Sequence, residues 1–203
     1  MSEYFTNVLK GIKEYVDKNS VVFSYIVGCK SWGGNSVKDT DVVVVVKDVQ
    51  FHKGIYIEDL KTDVFIYGED FFREMATANS KGWYYSPYIG LAMAFPENVL
   101  YGEMPIKNYN WFDYQYKALK QLYVEGGKYY FNSALCNRIA KGNCIKGMVL
   151  GLLAYYAIQN QSFEFTDEQK EILQKCHDLQ LPASYAEELK TNMEKILKAQ
   201  GLI

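Results

Sequence analysis

Phe5, Val8, Leu9, Ile12 and Val16 recur at helical spacing, which predicts an amphipathic helix over 3–18. Val21–Val27 (VVFSYIV) has the length and branching of a strand. Asp41–Lys47 (DVVVVVK) carries five consecutive valines, the pattern of a central strand buried on both faces. Thr62–Tyr67 (TDVFIY) reads as another strand, ended by Gly68. Ile55–Ile57 is either a short strand or part of the connection. A helix is expected from near Glu69, in EDFFREMATA. Three of the four prolines fall in 80–109, so this stretch predicts loop, one short helix at Ile89–Phe95 and an extended piece at Val99–Tyr101.

From Trp111 onward the pattern is helical almost throughout, with about four helices expected. Thr166–Gln169 (TDEQ) and Ser184–Glu187 (SYAE) both match the capping box that satisfies orphan amides at a helix start. Gly126–Gly127 and Gly142 are candidate breaks or turns, with a place inside a helix as the alternative for Gly127. Gly147–Ile158 is apolar but too short for a membrane span, so a buried core helix is expected. The charged N-terminus, MSEYFTNVLKGIKEYV, has no apolar core of a signal peptide. The fold class expected is α+β: a mixed sheet flanked by helices over 1–106, then a helical bundle over 107–203.

Composition narrows the picture further. A hydrophobic fraction of 49% in 203 residues supports a substantial core. The net charge of −2 leaves any nucleic-acid contact to a local patch. Arg73 and Arg138 are the only arginines, and the Lys, Asn and Tyr usage suits an AT-rich genome such as that of a phage or low-GC bacterium. Cys29, Cys136, Cys144 and Cys176 form no CxxC pair, which suits a reducing cytoplasm, the host's if the chain is phage-encoded. His52 and His177 lie in unrelated contexts and are read as surface residues with no metal role. No membrane partner is expected, and no pattern specifies an oligomeric state.

Candidate chemistry concentrates between 28 and 63. Alternation puts Asp39 and Asp41 on one face at the start of a rigid strand. Two carboxylates held together repel unless a cation lies between them, and a divalent metal is the natural partner. Asp63 opens the next apolar strand, and three carboxylates converge if that strand lies alongside. Such a layout suits two-metal phosphoryl transfer. Upstream, Gly28, Gly33 and Gly34 permit a tight turn close to phosphates, with Ser31 and Lys30 as further contacts. A DxD before a strand also occurs by chance as capping acids, and the glycine loop alone would be an ordinary loop. Trp83, Tyr84, Tyr85 and Tyr88 could stack on a base, although packing between the two halves is the favoured reading. Arg138, Lys141 and Lys146 make either a cationic wall for triphosphate or RNA, or a solvated helix face.

The spacing G-x4-G-x5-D-x-D, carried by Gly28, Gly33, Asp39 and Asp41 before an apolar strand, resembles the signature of polymerase β-like nucleotidyltransferases. Asp63 in TDVFIY matches the third acidic position. TDVFIYGEDFFREM, FPENVLYG and KGNCIKGMVLGLLAYYAI look similar to a branch of phage and bacterial proteins, predicted nucleotidyltransferases of an RNA repair pathway. The resemblance implies two magnesium ions, with manganese as a substitute, held by Asp39, Asp41 and Asp63. It implies an NTP, ATP first, bound along Gly28, Cys29, Lys30, Ser31 and Gly33 with Lys146, and an RNA end as acceptor. Two departures stand out: Cys29 and Lys38 occupy positions where the family has Ser. A thiol is a weaker hydrogen-bond partner than a hydroxyl, and no His is placed in sequence to make Cys29 a nucleophile. A protein-modifying adenylyltransferase and an inactive nucleotide-binding or interaction protein countering host defence are the alternatives.

Overall fold

The computed structural model describes residues 2–35, 39–47, 52–76, 86–106, 114–120, 123, 141–178, 180 and 183–203; of 52, 75, 86, 141–147, 183 and 186 it describes the backbone alone. Strands are β1 (Val21–Val27), β2 (Thr40–Val46), β3 (His52–Ile57), β4 (Thr62–Gly68) and β5 (Val99–Gly102). Helices are α1 (Glu3–Gly11), α2 (Glu69–Ala76), α3 (Ser86–Ala94), α4 (Lys141–Asn160), α5 (Asp167–His177) and α6 (Ala183–Ala199). Residues 114–120 are also helical.

The five strands form one mixed sheet in the order β3-β4-β2-β1-β5. β2 and β4 run parallel, and the other neighbouring pairs are antiparallel. The valine run is central as expected: Val42 to Val46 are at most 1% exposed. Its even members face α1, packing with Phe5, Val8 and Ile12. Its odd members, with Phe23, Tyr25, Val27 and Tyr67, face a thick helical layer. That layer draws on α2, α3, Ala118, Leu119 and α4 to α6, so residues from both sides of position 106 share one core. The α+β architecture is therefore a mixed sheet flanked by helices.

Four elements differ from the sequence reading. The first helix ends at Gly11 rather than continuing to 18. A side chain at 11 would lie 2.5 Å from Ile57 Cδ1, so glycine there is what lets the end of the helix pack closely on β3. Tyr15 and Val16 then donate amides to the Ile12 carbonyl, and this turn returns Val16 to the core, which preserves the apolar spacing. β3 extends back to His52, because pairing with β4 satisfies a backbone whose polar His52-Lys53-Gly54 hides the strand pattern. It is an edge strand, where exposed Lys and Gly are tolerated. Ser184 is the second residue of α6 and so does not cap it, whereas Thr166 makes the full capping box with Gln169. α3 also begins earlier than expected, with Pro87 in its first turn, where no amide partner is lost.

α4 is the buried helix anticipated, with Val149–Ile158 in the core. Among the described residues no helix is long and apolar enough to cross a membrane. Tyr88 packs in the shared core, and Trp83, Tyr84, Tyr85, Gly126, Gly127 and Arg138 lie outside the described residues. The helical layer meets the sheet half at Gly90 of α3, where the ring of fully buried Phe163 occupies the space a side chain would need. Gly90→Ala should therefore cost about 1–3 kcal/mol through overpacking, read as a lower midpoint in urea unfolding.

Candidate active site

β1 ends at Val27, which is the register partner of Asp41 on β2. Gly28 follows with φ +71° and ψ −157°, a backbone region reserved for glycine. A Cβ there would collide with the Asp41 carboxylate, so the missing side chain is what lets the chain turn over that acid. A 3-10 turn, Cys29–Trp32, comes next and closes on Gly33 at φ +82°. Gly33 is required for that left-handed conformation, since nothing would crowd its Cβ.

The turn is fastened from inside and from two other elements. Ser31 is 4% exposed, and its hydroxyl donates to the Gly28 carbonyl at 2.7 Å. The Asn98 amide, just before β5, donates to the Ser31 carbonyl at 2.9 Å. From α5, Gln174 accepts from the Asn35 amide at 3.0 Å and donates back to its carbonyl at 3.4 Å. Gln174 also donates to Asp178, which pairs with His177 Nδ1 at 2.9 Å. His177 thus lies in the last turn of α5, beside the turn that follows β1.

The acids are placed by the sheet. Asp41 and Asp63 are register partners on the parallel strands β2 and β4. Asp41 alternates with Val43 and Val45, and Asp63 with Phe65 and Tyr67, which puts both on the face of the helical layer. Asp39 lies two residues before Asp41, and all three acids are half-exposed. Among the described residues no three His, Cys, Asp or Glu side chains are grouped so as to hold a metal ion. Magnesium takes one or two carboxylates and completes its shell with water and substrate phosphates, so the register pair Asp41–Asp63 is the candidate for a metal site.

The other candidates are distributed unequally. Lys30 is exposed, and its ammonium donates to the Thr40 hydroxyl, which alternates to the α1 face, away from the acids. Cys29 is buried; desolvation, then the charges of Asp178, Asp41 and Asp39, push its thiol up to about 12. Cys29 thus lies within electrostatic reach of Asp178, at the end of α5, and of two of the acids. Lys146 belongs to α4 with its side chain outside the described set, as is that of Lys141, while Lys38 is outside it altogether. His52 opens β3 opposite Tyr67.

Two features escape a reading of the sequence. Gln174 and Asp178 reach the turn only because α5 folds back over it. Tyr56 is the register partner of Asp63 on β3 and is 48% exposed. Residual desolvation, then the charges of Glu58, Asp39 and Asp63, raise its phenol above the ordinary tyrosine value. Alternation around Tyr56 could have hinted at it once 52–57 was read as a strand.

No protein-family model matches this chain, and no curated protein matches it. Among solved structures it is similar to a nucleotidyltransferase-like protein from Exiguobacterium sibiricum 255-15. The two are 10% identical with a TM-score of 0.31, over 96% of this chain and 74% of that one.

Gly28→Ala should cost about 1–3 kcal/mol from backbone strain alone, and more as the new methyl displaces Asp41; urea unfolding checks this. Cys29 and buried Cys176, whose thiol is also pushed up to about 12 by desolvation, should resist iodoacetamide at pH 8 in the native protein. Both should label once unfolded in urea, as peptide mass spectrometry would show.

Proposed function

We propose that the chain is a divalent-metal-dependent nucleotidyltransferase of the polymerase β-like superfamily. It would transfer a nucleotidyl group from an NTP, ATP first, to a hydroxyl acceptor, with an RNA end as the leading candidate. The observation that carries this reading is the in-register pair Asp41–Asp63 on one sheet face, beside a glycine turn built around the Asp41 carboxylate. Asp41 and Asp63 are the residues that would hold magnesium or manganese, with Asp39, two residues before Asp41, as the third candidate. Bound there, the metal would lower the pKa of the attacking hydroxyl and neutralise charge on the departing pyrophosphate.

The chain's own residues divide the remaining work. The backbone of Gly28–Gly33 forms the wall nearest Asp41, on the β1 side, and is the natural seat for the triphosphate. Asp63, on the opposite side of Asp41, is the residue that would help activate the incoming hydroxyl by taking its proton. The sheet-bearing stretch 1–106 supplies the acids, and 107–203 supplies the helical wall that fixes the turn through Gln174.

One observation favours the inactive, nucleotide-binding reading. The Ser31 hydroxyl is committed to Gly28, and the Cys29 thiol is buried and protonated. Neither side chain offers a strong grip on phosphate as they stand, so the main chain must supply it.

Purified protein incubated with α-labelled NTPs, magnesium, and either total RNA or cell extract tests these readings. Metal-dependent label in RNA is expected, falling at least about a hundredfold in Asp41→Asn and Asp63→Asn, a loss of roughly 2.7 kcal/mol in transition-state stabilisation. Label in protein instead would identify a protein-modifying adenylyltransferase. No label and no pyrophosphate release with any NTP would overturn the enzymatic reading.

A further inference from the structure

Across the sheet, one row of register partners runs Val27, Asp41, Asp63, Tyr56. The glycine turn continues from Val27, so it flanks the acids on the β1 side. Tyr56 flanks them on the β3 side. Two residues back along β3, Gly54 shares the Tyr56 face and is exposed. Its register partner on β4 is Phe65, which is half-buried. A Cβ built on Gly54 would lie 3.9 Å from Phe65 Cδ1, so the aromatic edge sits directly beside the bare backbone. The result is a shelf: Gly54 as the open floor, Phe65 along one side, and Tyr56 standing at the end next to Asp63.

A shelf of this shape takes a flat ring. The charges acting on the Tyr56 end are those of Glu58, Asp39 and Asp63, all acidic. A phosphate would be repelled there without a metal, whereas a neutral nucleobase would gain by stacking, an interaction tolerant of base identity. The turn and Tyr56 lie on opposite sides of the carboxylates. If the triphosphate occupies the turn, the donor nucleotide is held on the β1 side and the acceptor must approach over β3.

We infer that Tyr56, with Gly54 and Phe65, forms the acceptor subsite, stacking the nucleobase whose ribose hydroxyl is presented to Asp63. The inference rests on the nucleotidyltransferase reading and deepens it by naming the acceptor's chemistry, a nucleoside whether free or at an RNA 3′ end. Tyr56 acts here as a positioning residue through its ring and not its hydroxyl. Gly54 acts by lacking a side chain.

Binding without turnover gives the first measurement. Dye-labelled penta-adenylate RNA is titrated by anisotropy in magnesium without NTP, with unlabelled adenosine as competitor. Tyr56→Ala should weaken binding about tenfold, the effect of losing one stacked base, and Tyr56→Phe should match the parent protein within twofold. Gly54→Val, which meets no backbone and so should fold, should weaken binding comparably by filling the floor. Competition by adenosine at similar affinity identifies the single base as the ligand, and competition only by the oligonucleotide identifies an RNA end. Unchanged binding in Tyr56→Ala and Gly54→Val, equal damage in Tyr56→Phe and Tyr56→Ala, or no binding by the parent protein would overturn the inference.

Turnover gives the second measurement. With penta-adenylate as acceptor, Tyr56→Ala should raise the acceptor KM about tenfold and leave the ATP KM within twofold. A rise in the ATP KM instead would assign the shelf to the donor and overturn the inference. If the parent protein transfers no nucleotide while binding still depends on Tyr56, the enzymatic reading falls and the nucleobase shelf stands.

Discussion

Burial of β2 on both faces is the constraint on which the rest of this molecule depends. Its valines are sealed by α1 on one side and by the helical layer on the other. A strand held that way cannot slip, because a shift of one residue would exchange its two faces. The fixed register carries its first residues with it. Asp41 is set beside Asp63 by the same parallel ladder that pairs Val43 with Phe65 and Val45 with Tyr67. Two carboxylates facing one another would separate on a loose loop; here hydrophobic packing two to five residues away holds them in place.

The turn after β1 shows how such a site constrains its neighbours. Asp41 takes up the space a side chain at 28 would need, so glycine there follows from the carboxylate. The turn then needs fastenings, and they come from three directions: Ser31 within it, Asn98 ahead of β5, and Gln174 of α5. The last of these makes the helical layer part of the site. It also brings Asp178 near Cys29, where acidic charge and burial together keep the thiol protonated. Cys29 therefore serves as a small apolar filler beneath the turn, consistent with its place in the core.

Much of the architecture was legible because its signals are local. β1 matches its apolar run residue for residue, β2 and β4 match theirs within a residue, and the capping box at Thr166 is an interaction of neighbours in the chain. The misreadings have a common cause. α1 ends at Gly11, where Ile57, far along the chain, fills the space a side chain would need. β3 looks unlike a strand because its partner strand stabilises it, with no contribution from its own His-Lys-Gly composition. Ser184 carries capping chemistry but lies inside α6, which begins earlier.

For the site itself, sequence alone determined which residues bring acid, glycine and apolar strand together, since Gly28, Gly33, Asp39 and Asp41 are close in the chain and periodicity puts the two acids on one face. Tertiary structure decided the rest. It made Asp63 the neighbour of Asp41, set Tyr56 beyond it, turned Lys30 toward Thr40, and used Ser31 inside the loop. The division is physical: side-chain period and backbone preference are properties of a segment. Strand order, and the choice between a hydroxyl's inward and outward partners, are settled only when distant segments compete for the same space and the same hydrogen bonds.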